Sequence, residues 1–206
     1  MIQTDYALPM TFMCAQGLLG ALDTLYYHEL TYQLPAYARE ARDELRLHGA
    51  RDLIYGLLFL SLPRVAWTGA WAWALLGLVL AEVVITLIDF AVERRVRAPW
   101  GGLAAGELMM HAMMAIVYGA FLVTLAPHWW VWLERGGGLQ PHEQATPELL
   151  VWLMTLMGVG VTCAGIRDLL LSSTSLPARW GARLALPWAR QASPPQVRQG
   201  GEPKQL

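Results

Sequence analysis

Lysine is almost missing from this 206-residue chain: Lys204 is the single lysine among 15 basic residues. Charge of either sign is scarce, 15% of residues where a soluble domain carries roughly 25%. The formal net charge is −1, and no face is dense in Lys or Arg, so a polyanionic partner such as nucleic acid is excluded. Cysteine is equally sparse. Cys14 and Cys163 both fall inside apolar runs and are expected at different depths, which argues against a disulfide. There is no CxxC pair and no Cys/His cluster of zinc spacing. The opening "MIQTDYALPM" has no basic residues ahead of its apolar run, so that run is expected to stay in the protein rather than be cleaved as a signal peptide. No internal repeat of fixed period is found.

What the chain has instead is apolar length, with 55% hydrophobic residues. A hydrocarbon core of about 30 Å needs roughly 17–25 helical residues to cross it. Five segments offer them: 8–27, 52–68, 71–92, 103–125 and 149–171. The second is the weakest, being short and holding Pro63 and Arg64, although the charged stretch "YAREARDELRLHGARD" could run into it as one helix. The expectation is an all-α integral membrane bundle of about five spans over residues 1–176. An interfacial amphipathic segment at 177–190 and a disordered cytoplasmic tail at 191–206 are expected to follow.

Arginine sets the orientation. Arg39, Arg42, Arg46 and Arg51 lie in the first connection, Arg94, Arg95 and Arg97 in the third, and Arg179, Arg183 and Arg190 near the C-terminus. The other side holds only Arg64 and Arg135. Positive charge stays cytoplasmic, so the N-terminus is expected in the periplasm and the C-terminus in the cytoplasm of a bacterial inner membrane. Trp67, Trp71, Trp73, Trp129, Trp130, Trp132 and Trp152 fall at the outer ends of the spans, and Trp100, Trp180 and Trp188 at inner ends, as headgroup-level tryptophans do. The outer loop "ERGGGLQPHEQATPE" reads as flexible, with His128 and His142 as solvated bystanders.

Ionisable groups inside spans are expensive, so they face the bundle interior, paired or functional. Residues recurring at i+4, i+7 and i+11 share a helix face. Glu82, Thr86, Asp89 and Glu93 form one such stripe; Glu107, His111, Met114 and Tyr118 form another. His48, Asp52 and Tyr55 make a third, and Gln16, Asp23 and Tyr27 a fourth. Counted at about 1.5 Å per residue, all the acids fall in the cytoplasmic half. Arg51, Arg94, Arg95 and Arg167 can reach Asp52, Asp89 or Glu93 from the inner interface, and are less able to reach Glu82 or the Glu107/His111 pair. Arg167 and Asp168 are expected to pair with neighbours at that interface. The fifth span, with Gly158, Thr162 and Gly165 at small-residue spacing, is expected to pack rather than react.

Three chemistries fit. Carboxylates and imidazoles from four helices are how metal-binding bundles are built. Here Glu82, Asp89, Glu107 and His111 would be ligands for iron, manganese or zinc, with Asp23, His48 and Asp52 as further ligands or their supports. The spacing Glu-x-x-x-His departs from the Glu-x-x-His of soluble carboxylate bundles, and the Met residues of "MMHAMM" hint only weakly at copper. Alternatively the acids only fix helix packing in a scaffold or assembly factor, with a membrane-protein partner besides the lipid bilayer. A third reading is proton- or ion-coupled transport through a Glu82, Asp89, Glu107 and His111 relay. Whether the chain is an enzyme stays open. The strings "DTLYYHEL", "ELRLHGARDLIYG", "EVVITLIDFAVE" and "HAMMAIVYG" together resemble a set of bacterial multi-pass membrane proteins without an assigned activity. That resemblance covers about residues 20–125 and implies an inner-membrane location.

Overall fold

The computed structural model describes residues 5–142 and 146–173. The segment expected over 177–190, the tail expected over 191–206, and Trp180 and Trp188 lie outside the described residues. Five α-helices carry the fold: α1 (Ala7–Asp23), α2 (Arg42–Ser61), α3 (Ala70–Arg97), α4 (Ala105–Glu134) and α5 (Glu148–Leu171). A π-helical segment, Thr24–Thr31, continues α1, and a short 3-10 turn, Ala98–Trp100, ends α3. Two three-residue strands, β1 (Val65–Trp67) and β2 (Leu139–Pro141), complete it.

Three helices, α3 with its 3-10 turn, α4 and α5, are long and apolar enough to cross a membrane. The surface they present is inside out for water: Ile116, Val123, Trp152 and Leu156 are more than 70% exposed, while the largest fully buried side chain among the described residues is Arg97. The charged stretch before the second expected span does join it, in a single helix that begins at Arg42. That helix starts with Asp43 and Glu44 and α3 ends with Arg94, Arg95 and Arg97, each charge matched to its end of the helix dipole. The fourth helix runs past its expected end at residue 125. Pro127 cannot donate a backbone hydrogen bond, but that loss is local. Beyond it the Trp129 indole N–H donates to the Ala72 carbonyl at 2.8 Å, and Trp132 packs into the core.

The helices run side by side, α1 along α4 and α2 along α5, with α2 also against α3. The α2–α5 contact is made by glycines. A Cβ on Gly49 would stand 2.9 Å from the Gly165 carbonyl oxygen, and one on Gly165 would stand 2.8 Å from the Asp52 Cβ. Gly56 lies against Thr162 and Gly158 in the same way. Gly49 and Gly56 are seven residues apart, as are Gly158 and Gly165, so the two antiparallel helices meet glycine to glycine over two turns.

Part of the loop expected on the outer side, Leu139–Pro141, forms a strand that the sequence does not suggest. Val65, Ala66 and Trp67 pair antiparallel with Pro141, Gln140 and Leu139. Thr68 clamps the ribbon, its backbone N–H donating to the Gly138 carbonyl at 2.9 Å. Gly69 turns the chain into α3 at φ 60°, a left-handed conformation that favours glycine. The expectation that His128 and His142 are solvated is overturned. The His142 ring lies 4.3 Å from that of Tyr6 and 5.7 Å from that of Trp132, and its Nε2–H donates to the Leu62 carbonyl at 2.7 Å. Burial pushes the His142 imidazole below its ordinary range, the bond to Leu62 opposing this. His128 packs edge-on to Tyr6, ring centroids 5.0 Å apart. Cys14 and Cys163 are both free thiols.

Gly49→Leu is expected to force α2 and α5 apart at a backbone contact. It should lower stability in detergent by about 1–3 kcal/mol, read as a lower thermal midpoint. Gly77→Ala, where a Cβ meets nothing within 4 Å, serves as the control and should be neutral or slightly stabilising.

Candidate metal centre

Helical spacing brings an acidic or imidazole pair from each of the first four helices to one end of the bundle. On α2 the pair is Glu44 and His48, on α3 Asp89 and Glu93, and on α4 Glu107 and His111, each at i and i+4. On the first helix the pair is Asp23 and His28, at i and i+5. Five residues do not return to the same face of an α-helix. They do so in a π-helix, whose hydrogen bonds run from i to i+5. The π-helical segment begins at Thr24, and it turns His28 inward beside Asp23. The segment stops where Gln33 takes φ 52° and the Leu34 N–H donates to the His28 carbonyl at 2.9 Å. All eight of these side chains are buried.

Two of the acids are already matched. Arg97, on the α3 stripe one turn beyond Glu93, grips Glu44: its Nε donates to both carboxylate oxygens at 3.1 and 3.2 Å, and its Nη2 donates to Oε1 at 2.5 Å. Its guanidinium lies 3.8 Å above the Tyr32 ring. Tyr32 is in turn fixed by donating to the Gly102 carbonyl and accepting from the Ala104 N–H. Asp89 is held by His48 Nε2 at 2.9 Å and Arg51 Nη1 at 3.1 Å. The His48 ring stacks on that of His28 at 4.4 Å, nearly parallel.

Asp23, Glu93 and Glu107 are not matched in this way. His28 Nε2 stands 3.6 Å from Asp23 Oδ2 and 4.0 Å from Glu107 Oε1. His111 Nε2 is 3.5 Å from the same Asp23 oxygen, and its Nδ1 is 3.6 Å from Glu93 Oε2. Arg97 Nη2 reaches Glu93 and Glu107 only at 3.5 Å each. Hydrogen bonds of these types run at about 2.7–3.2 Å. Ligand atoms held at about 2.0–2.2 Å around a tetrahedral ion stand roughly 3.3–3.6 Å from one another; the distances from Asp23 Oδ2 to His28 and His111 match this, while His28 to Glu107 is wider at 4.0 Å. Both oxygens of Glu93, both of Glu107, Asp23 Oδ1 and His28 Nε2 have no hydrogen-bond partner among the described residues. His28, Glu93 and Glu107 offer ligand atoms within 4.8 Å of one another, as do His28, Glu44 and His48. In the second triad Glu44 and His48 are committed to Arg97 and Asp89, so the first has the free valence.

The expected site residues divide accordingly. Glu107, His111, Asp23 and Glu93 meet in the chamber, and His48 and Asp89 form its wall. Glu82 stands two turns, about 10 Å, above Asp89. There it accepts from Tyr55 O–H at 3.0 Å and Thr86 Oγ1 at 2.8 Å, a separate polar node that includes Gln16. Tyr118 packs edge-on to Tyr55, and Tyr27 covers Gly106. Asp52 turns to the α5 glycines instead. Arg167 pairs with Asp168 and Glu29. Of the four methionines of the "MMHAMM" stretch, Met109 and Met113 are exposed and Met110 and Met114 half-buried.

Three residues escaped the sequence reading. Glu44 was legible, since Glu44-x-x-x-His48 repeats the spacing of Glu107-x-x-x-His111. Arg97 was counted as an inner-loop charge, yet it continues the Glu82–Glu93 stripe and reaches Glu107, an acid expected to be out of arginine's range. His28 had no signal in α-helical periodicity.

The described chain is an all-helical protein with three helices suited to a membrane and a buried carboxylate/histidine chamber at one end. No family model matches it, and no curated protein or solved structure is significantly similar to it.

Arg97→Met is expected to leave Glu44, Glu93 and Glu107 without their cation and to cost about 3–5 kcal/mol, measured as a fall in the thermal midpoint. Arg95→Gln, which removes an exposed pair with Asp43, should change it little.

Proposed function

We propose that this chain is a five-span bacterial inner-membrane protein, N-terminus periplasmic and C-terminus cytoplasmic, that binds a divalent transition-metal ion in the chamber at its cytoplasmic end. His28, Glu93 and Glu107 are its first ligands, with Asp23 and His111 completing the set. Imidazole and carboxylate donors together suit iron, manganese or zinc. The observation that carries this reading is the set of buried ligand atoms without hydrogen-bond partners, gathered within 4.8 Å of one another. Charge supports it as well. Once Arg97 takes Glu44 and Arg51 takes Asp89, three carboxylates remain with two imidazoles, and burying them together is costly unless cations or protons join them. Five spans are supported by the side-by-side packing of α1 with α4 and α2 with α5. The Trp-rich end, where Trp73 and Trp129 meet edge to face, supports placing the outer face there.

One observation favours the packing alternative: Arg97 bridges α2, α3 and α4, as a network serving only helix registry would. Elemental analysis separates the two. Protein purified in detergent should hold near-stoichiometric iron, manganese or zinc. His28→Ala should lower its metal affinity at least about tenfold, while Glu82→Gln should leave it unchanged. A metal-free preparation that refuses added metal would sink the metal reading and leave the network as packing.

A further inference from the structure

The α3 and α4 helices follow one another in the chain yet touch less than α1 does α4 or α2 does α5. At the turn that joins them lies a depression of about 870 Å³ lined by Arg94, Pro99, Gly101, Gly102, Leu103 and Leu108. Its floor is partly bare backbone: a Cβ on Gly101 or Gly102 would meet nothing within 4 Å. Leu108 is 62% exposed, so the apolar wall is open. Arg94 is exposed and makes no ion pair among the described residues, whereas its neighbours Arg95 and Arg97 hold Asp43 and Glu44.

Depth adds to this. From Ala70, about 20 residues of α3 cross a hydrocarbon core of about 30 Å, which puts Arg94 just past the acyl chains at the level of headgroups. A cation above an apolar wall at that level matches a molecule with one negative charge on an apolar chain. Its volume falls within the 300–1,000 Å³ of ordinary ligand pockets, and its one unpaired cation balances a single carboxylate. The chamber is one residue away on each wall: Arg94 follows Glu93, and Leu108 follows Glu107. Tyr32 touches both, holding Gly102 of the depression by its hydroxyl and carrying Arg97 of the chamber on its ring.

We propose that this depression binds a long-chain fatty-acid carboxylate, its head on Arg94 and its chain over Leu103 and Leu108, beside the metal chamber. That the bound chain is presented to a metal rests on the reading of the chamber above; the binding itself does not.

The test uses the full chain in neutral detergent and a fluorescent conjugated-polyene fatty acid. Saturable binding at one per chain is expected, about fivefold weaker in Arg94→Gln and similarly weaker for the methyl ester of the same acid. Unlabelled fatty acid should displace the probe, and inorganic phosphate should not. Equal affinity for acid and ester, no effect of Arg94→Gln, or stronger displacement by phosphatidylglycerol than by fatty acid would overturn the proposal. Metal content of the same samples is read in parallel, and Arg94→Gln should keep it. A protein that binds the acid and holds no metal removes the chamber's occupant and leaves this site standing. One that holds metal and shows only non-saturable partitioning does the reverse.

Discussion

Arg97 has no exposed surface, and its guanidinium stands among carboxylates of three helices: Glu44 of α2, Glu93 of its own α3 and Glu107 of α4. Everything at this end of the bundle is arranged around that charge. Three buried carboxylates brought so close would repel one another and pay a large desolvation cost without a cation. With it, α2 is bound to α3 by a bidentate grip, and the Glu107 carboxylate is held in reach of His28. Tyr32 fixes the guanidinium from below and ties it to the turn between α3 and α4. The same arginine also limits the chamber. It neutralises Glu44 fully and Glu93 and Glu107 only at longer range, so the remaining negative charge lies toward His28, His111 and Asp23.

The chamber depends next on a local departure from α-helical geometry. In a regular helix His28 would point about 140° away from Asp23. The π-helical turn from Thr24 to His28 reduces that offset enough to put both side chains on one face. Such segments give up good hydrogen-bond geometry, and they recur where a side chain must be aimed at a site. Here the cost is offset where the imidazole stacks on His48. The chamber's other wall is set by the α2–α5 glycine contact. It brings α5 close enough for Arg167 to reach Glu29, which follows His28 in the π-helical segment.

The two ends of the bundle are chemically distinct. One is aromatic, with Tyr6, Trp132, His128 and His142 in mutual ring contact and a small ribbon closing over them. The other is ionic. Between them Glu82, Tyr55 and Gln16 form a short hydrogen-bonded step. That division was legible in the chain, because Trp and the acids are segregated by position. The stripes on α3 and α4 were legible too, since a period of about 3.6 residues puts Glu82, Asp89, Glu93, Glu107 and His111 on inward faces. Less legible was the sorting within them. Glu82 and Asp89 share a face but stand two turns apart, and only the neighbouring helices decide that one meets tyrosine and the other histidine and arginine.

Read by itself, the sequence determines an all-helical chain with apolar length suited to a membrane, because scarcity of charge and helical periodicity are local properties of composition and order. It also determines which faces are polar, since a carboxylate on a lipid-facing stripe would be too costly to keep. The tertiary structure alone decides which polar groups meet. The glycine contacts set how close α2 and α5 come, the π-helical turn swings His28 into the chamber, and Arg97 leaves its apparent place in a loop to become the buried counter-charge. Each of these depends on distances between segments far apart in the chain, and no spacing within one segment encodes them.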